Sequence, residues 1–307
     1  MHYTKYWMAL EQVQGMGPVH LKKIYESLSE KGLSVYDIFG LDREEMRKEF
    51  PFEDKIIDAV QEAEKNLDRV EKDYLALLDA GFDILVFYYE GYPERLLSIL
   101  GSQFPPILYI YGNRALLKEK GAAILGDSNV SGRGELIAYL SARELTRHRI
   151  VTISGFARGT DLIAHRSALE NGGSTIALLP YGMKHLTIPE SLKPLFDESR
   201  ILLATPFTPA REYSPYNALH RNKIIAALSY AVFIVEAPAE GGVFEAGKSA
   251  KNLNIPFYVT EYSQYPESAS GNRRLIEEFK GIPVRGRMEN NQLIPNLDRL
   301  IGDVKFA

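Results

Sequence analysis

From Gly112 to about residue 285 the chain alternates short, continuously apolar runs with longer amphipathic ones, a rhythm that few folds tolerate. Ala122–Leu125, Ile150–Ser154, Thr175–Leu179, Ile201–Ala204, Ala231–Val235 and Phe257–Thr260 read as strands. Glu135–Arg147, Asp161–Glu170, Val243–Asn252 and Arg273–Phe279 read as helices, and Lys223–Leu228 closes another. Strands apolar on both faces must be covered on both. The pattern therefore predicts an α/β fold with a doubly wound, mostly parallel sheet. In such sheets ligands sit beyond the carboxyl ends of the strands, so chemistry is sought in the loops that follow them.

The first eighty residues have another texture. Met8–Val13, Leu21–Leu28, Val35–Phe39 and Ile56–Val60 carry apolar residues at helical spacing, and Glu62–Leu78 reads as one longer amphipathic helix. Gly15-Met16-Gly17-Pro18 suits a tight corner, with Pro18 as the first residue of the following helix. It is either a helix–hairpin–helix (or SAM-like) phosphate-binding element or a plain helix–helix corner. Phe82–Tyr89 and Ile107–Tyr111 are β-rich. The expected division is a helical domain over 1–80, a sheet domain over 81–286 and a tail over 287–307, in which Arg287–Ala307 forms one short helix.

Charge separates along the same line. Residues 1–112 hold 12 Lys and Arg against 20 Asp and Glu, whereas 113–307 hold 24 against 20. A polyanion is expected to dock on the second part, the acidic first part being equally consistent with a solvated helical face. The absence of cysteine excludes disulfides, thiolate nucleophiles and cysteine-ligated metals, and fits a cytoplasmic location. Neither an export signal in Met1–Met8 nor a long apolar span is seen, so no membrane role is expected. No metal-ligand cluster, paired carboxylates or serine with a placed base is found. No cofactor and no catalytic residue is expected.

Four loops carry the candidate site. After the first strand come Gly126-Asp127-Ser128-Asn129-Val130-Ser131-Gly132-Arg133-Gly134, small residues leading into a helix whose N-terminus favours an anion. The dinucleotide fingerprint is incomplete, because Ile137 stands where a third glycine is needed. The second loop, Ser154 to Asp161, includes Gly155, Phe156, Ala157, Arg158 and Gly159; Arg158 among small residues suits bidentate contact with phosphate. Thr160 or Asp161 is expected to cap the next helix, and His165 to make a capping or interhelical hydrogen bond. Arg221, Asn222 and Lys223 head a buried helix. The last loop holds Gly241 and Gly242. There, Gly242 to Ser249 matches the spacing of a phosphate-binding loop ending in Gly247-Lys248-Ser249, but Val243, Phe244 and Ala246 read as a helix packing face, so the match is taken as coincidental.

Several blocks together resemble the DNA-processing protein A family, also called Smf: Tyr92-Pro93-Glu94-Arg95-Leu96, Pro105–Tyr109, Gly112-Asn113, Ser154–His165, Ala168–Ala177, Arg221–Leu228, Val235-Glu236-Ala237 and Gly271–Ile276. The resemblance implies an extended Rossmann-like domain preceded by a helical domain. It also implies binding of single-stranded DNA, a homodimer, and assistance in loading the RecA recombinase during natural transformation. Gly126, Ser131, Arg133, Gly134, Gly155, Phe156, Ala157, Arg158, Gly159, Arg221, Asn222, Lys223, Gly241, Gly242 and Asn272 are then expected to contact the nucleic acid, with Phe156 and Tyr181 as stacking candidates. Ser128 departs from the arginine usual in the family, and Gly241, Gly242 and Val243 from its Ser-Gly-Ser. Many relatives end in a winged-helix domain, which the short tail leaves no room for. A nucleotide sensor or a phosphoribohydrolase-like enzyme on the same scaffold is the alternative.

Overall fold

The computed structural model describes residues 3–289 and 292–307. Met1 and His2 of the N-terminal segment, and residues 290 and 291 of the tail, lie outside the described residues. Five helices come first: α1 (Thr4–Glu11), α2 (Pro18–Glu30), α3 (Arg43–Glu49), α4 (Asp54–Lys65) and α5 (Leu67–Asp79). Pro18 is the first residue of α2, and Gly15 takes the positive φ that the corner requires. The single helix expected over Glu62–Leu78 is instead two, because Asn66 turns its side-chain amide back onto the Glu62 carbonyl and ends α4. The unexpected α3 begins with a capping box in which Asp42 accepts from the Glu45 backbone and Glu45 from that of Asp42.

The chain then runs through β1 (Asp83–Val86), α6 (Glu94–Leu100), β2 (Ile107–Gly112), β3 (Gly121–Leu125), α7 (Gly132–Arg147), β4 (Val151–Ser154), α8 (Thr160–Glu170) and β5 (Thr175–Leu178). It continues with β6 (Ile201–Thr205), α9 (Pro215–Leu228), β7 (Ala231–Ile234), α10 (Gly242–Asn252), β8 (Phe257–Thr260), α11 (Asn272–Glu277) and β9 (Ile282–Val284). The nine strands form one sheet in the order β1-β2-β6-β5-β4-β3-β7-β8-β9. Pairing is parallel from β6 to β9 across the sheet, and β2 is antiparallel to both its neighbours. β3 is flanked by β4 on one side and β7 on the other, so the winding reverses there and opens a crevice at the strands' carboxyl ends.

Alternation within the strands shows both faces in use. Ala122 and Ile124 of β3, with Ala231 and Phe233 of β7, pack on one side against α7 and α8. Ala123, Leu125, Val232 and Ile234 pack on the other, against α9 and α10. The second core runs on without a break into the helical segment, where Trp7, 1% exposed, meets Phe87 edge-on at 6.0 Å. Each fully buried large side chain of this kind contributes about 2–3 kcal/mol.

The tail corrects the expectation of a single short helix. It forms a hairpin, β10 (Gly286–Glu289) with β11 (Gln292–Pro295), and then α12 (Asp298–Phe306). Leu300, Ile301 and Val304 of α12 complete the core on the α7 face, and the Tyr258 hydroxyl donates to Asp303. No helix among the described residues is long and apolar enough to cross a membrane.

Candidate functional site

At the crevice beside β3 lies a cleft of about 890 Å³. Its walls are the turn after β3 (Leu125 to Ser128), the turn after β4 (Phe156 to Arg158), Pro180 and Tyr181 after β5, Tyr213, the α9 face carrying Ala218, Arg221 and Asn222, and the segment from Glu240 into α10. Another hollow, about 940 Å³, is lined by Tyr88, Tyr92, Arg95 and Tyr230 among others. It gathers none of the turns after β3, β4, β5 or β7, and its Arg95 already donates to the Ser229 carbonyl. The β3 crevice is therefore the chemically equipped one.

Arg221 is the centre of the cleft. α9 starts cleanly, with Ser214 accepting from the Asn217 backbone and Pro215 as first residue, and it buries its apolar end in the core. Arg221 is only 4% exposed. Its Nη1 stands 3.7 Å from Asp161 Oδ2, an ion pair beyond hydrogen-bonding distance, and among the described residues neither Nη1 nor Nε has a hydrogen-bond partner. Burial pushes the guanidinium pKa down, opposed by Asp161; burial likewise pushes the Asp161 carboxyl up, opposed by Arg221. Asp161 is the better satisfied of the two, accepting from Ser154 Oγ at 3.0 Å and the Ala157 backbone at 3.2 Å. A buried charged donor left without acceptors costs several kcal/mol. A Cβ at Gly155 would collide with the Arg221 guanidinium, which accounts for the glycine.

The other walls add reach. Arg158 is exposed at the tip of its turn and makes no ion pair among the described residues. Gly159 has φ +71°, and a Cβ there would fall 2.5 Å from the Ser128 carbonyl oxygen, so the two turns touch through it. Asn222 donates to the Gly242 carbonyl at 3.1 Å and joins α9 to the amino end of α10. Gly241, at φ +108°, turns the chain into that helix. Phe156 and Tyr181 line the cleft as buried and half-buried rings, while Tyr213 is 62% exposed. Tyr213 was missed because Glu212-Tyr213-Ser214 carries no signal beyond a helix start. Behind Gly155, His165 lies 2.5 Å from its carbonyl and 2.6 Å from the Thr175 hydroxyl. Burial pushes its pKa down to about 4, so it is a neutral structural ring. The expected cap of α8 is not made by a side chain; Thr160 donates to the Asp127 carbonyl instead.

Of the expected site residues, the cleft brings together Gly126, Phe156, Ala157, Arg158, Arg221, Asn222, Gly241 and Gly242, with Gly155 and Gly159 directly beneath. It does not include the rest. Ser131 and Gly134 surround the buried Glu236. Arg133 lies over the Tyr262 ring at 5.2 Å, and Lys223 donates to Gln103 on the far side of α9. Asn272 is fully buried, accepting from the Ala237 backbone at 2.8 Å and donating to the Val235 and Thr260 carbonyls at 2.9 and 3.0 Å. It ties β7 to β8, so its polar groups are spent on the fold. The apparent phosphate loop is helical: Gly242 to Ser249 lie within α10, Lys248 pairs with Glu245 at 2.8 Å, and a Cβ at Gly247 would press on Ile234 and Leu275.

Residues 83–285 match the family model described as DNA recombination-mediator protein A. The chain is 27% identical to Protein Smf of Synechocystis sp. over 97% of its own length and 77% of that protein's. It is 32% identical to DNA processing protein DprA of Streptococcus pneumoniae over 64% of its length and 69% of the relative's. The fold superposes on the crystal structure of that S. pneumoniae protein with a TM-score of 0.73 at 23% identity, covering 91% of this chain and 94% of the other. DNA processing protein A of Helicobacter pylori, whose structure is described as revealing a unique single-stranded DNA binding mode, superposes with a TM-score of 0.57 at 24% identity over 66% and 90% of the two chains. The helical segment followed by a mostly parallel Rossmann-like sheet is thus a shared architecture, as the sequence blocks implied.

Proposed function

Because the chain belongs to the DNA recombination-mediator protein A family, we propose that its β3 cleft binds single-stranded DNA through phosphate contacts at Arg221 and Arg158. The observation that carries this reading is the buried Arg221 guanidinium, with two nitrogens lacking partners among the described residues, opening on a cleft that also bears an exposed arginine, a helix N-terminus and an exposed tyrosine. Guanidinium forks suit phosphodiester oxygens, and Tyr213 and Tyr181 offer faces on which unstacked bases rest. The protein then acts as a cytoplasmic binding factor rather than an enzyme. RecA loading, a homodimer and a part in natural transformation are proposed from family membership. They are tested by RecA filament assembly on single strands with and without the protein, and by sedimentation.

The direct test is fluorescence anisotropy with a short oligo-dT at two ionic strengths. Arg221→Ala is expected to weaken binding 10- to 100-fold, the worth of charge-assisted hydrogen bonds. Arg158→Ala is expected to weaken it several-fold and to reduce the salt slope by about 0.7. Unchanged affinity in both variants, each checked for folding by thermal melting, rejects the cleft as the binding site.

A further inference from the structure

The turn after β3 already holds an anion, supplied by the protein itself. Glu236, two residues beyond β7, is 0% exposed. Its carboxylate accepts four hydrogen bonds: from the Ser131 backbone at 2.8 Å, Ser131 Oγ at 2.6 Å, the Tyr262 hydroxyl at 2.7 Å and Ser268 Oγ at 2.6 Å. Burial alone works to raise its pKa, but the bonds from Ser131, Ser268 and Tyr262 outweigh it and hold the group below the ordinary glutamate value. It is ionised at neutral pH.

Its position matters more than its charge alone. Ser131 is the N-cap of the 16-residue α7, the helix that follows the first parallel strand at the switch point. In doubly wound sheets that bind nucleotides, the pyrophosphate rests on this first strand-to-helix turn, and glycine lets it approach. Here a Cβ at Gly134 would fall 2.5 Å from Val130 Cγ2 and 2.6 Å from Glu236 Oε1, so the space opened by the glycine is taken by a valine and a carboxylate. Like charge at close range excludes a second anion.

We propose that Glu236 is a specificity-determining residue, an internal substitute for a nucleotide phosphate that closes the first strand-to-helix turn to free nucleotides and leaves exogenous phosphates only the Arg221 side of the sheet edge. The preference for a polymer over a nucleotide rests on the function proposed above; the closure of the turn does not. A free nucleotide diphosphate loses its usual seat. A nucleic-acid strand does not need that seat, since it collects affinity from successive phosphates and stacked bases.

The test uses the full chain with Glu236→Ala and Glu236→Gln. Melting is followed in chloride, formate and pyrophosphate at matched ionic strength, with pyrophosphate binding measured by calorimetry. Wild type is expected to melt alike in chloride and formate, and its rise in pyrophosphate, which the Arg221 side also seats, is the baseline from which the variants are read. Glu236→Ala is expected to melt lower in chloride, to recover at least half the loss in formate or pyrophosphate, and to bind pyrophosphate at least tenfold more tightly than wild type. Glu236→Gln keeps the bulk without the charge and serves if the alanine variant does not fold, with an expected gain of at least threefold in pyrophosphate affinity. A folded alanine variant indifferent to all three anions overturns the proposal, as does wild type binding pyrophosphate as tightly as either variant. None of these readouts uses oligonucleotide, so a chain that shows anion rescue yet fails to bind oligo-dT refutes the DNA reading while leaving this one standing.

Discussion

Two strand-to-helix turns meet at the middle of the sheet edge, and each is built from glycines, small polar residues and the start of a helix. In the turn after β3, Ser131 and Gly134 enclose Glu236, whose four hydrogen bonds satisfy the site from within. In the turn after β4, Gly155 makes room for Arg221, and two of that residue's buried nitrogens have no partner among the described residues. Similar backbone parts thus serve opposite ends. What decides between them is the charge that a distant segment delivers: an acid from the end of β7 in one case, a base from the middle of α9 in the other.

If that contrast is right, damage on the closed side costs stability and damage on the cleft side costs affinity. The largest stability effect is expected at Asn272, which holds the β7 end that carries Glu236. Asn272→Leu leaves one buried N–H and two carbonyls without partners and is expected to lose about 3–5 kcal/mol by urea unfolding. The fraction still folded should bind oligo-dT within twofold of wild type, and a large affinity loss instead would return Asn272 to the binding surface.

A smaller effect lies behind Arg221. The His165 value of about 4 in the folded chain is below the ordinary 6.5, so between these values the unfolded chain takes up a proton that the folded chain refuses. This contribution to stability is full above pH 6.5 and is lost as pH falls towards 4, amounting to about 2 kcal/mol between pH 7 and pH 5. Asp161, raised by burial, acts in the opposite sense at lower pH. Comparing urea midpoints at the two pH values, His165→Gln should show a smaller drop than wild type. An equal drop would mean the ring is not held neutral.

The smallest change is expected at Lys248, whose pairing with Glu245 is a partly exposed contact within one helix. Lys248→Ala should alter stability by no more than about 0.5 kcal/mol and leave oligonucleotide binding untouched. Turnover of magnesium-ATP that disappears in this variant would restore the phosphate-loop reading and undo the contrast.

The strands β3 to β8 were legible because four or five consecutive residues, apolar or small (Gly, Ser, Thr) and all buried, advertise themselves without help from the rest of the chain. β9 was not, since Ile282-Pro283-Val284 is too short and its proline masks an edge strand. α3 and α6, at seven residues each, fell below the length at which helical periodicity separates from chance. Of the residues expected at the site, Arg158, Arg221 and Asn222 line the cleft, and they stood out in the sequence because cations and amides among small or apolar neighbours have no evident packing reason to be there. Lys223 was misplaced because adjacent residues on a helix face different ways, and only the packing of α9 against Gln103 shows which way it points.

Chain order and local pattern alone determined the layered α/β architecture, the helical start and the turns at which charge gathers, because these follow from short-range periodicity and the steric freedom of glycine. Which turn would be closed and which would face the cleft was decided only in three dimensions. Ser131 meets its acid 105 residues later in the chain, and Arg221 meets Asp161 from an element sixty residues away. A glycine-rich turn has the same sequence whether its anion comes from the protein or from a ligand. Only the assembled sheet, which brings distant strand ends side by side, determines the source.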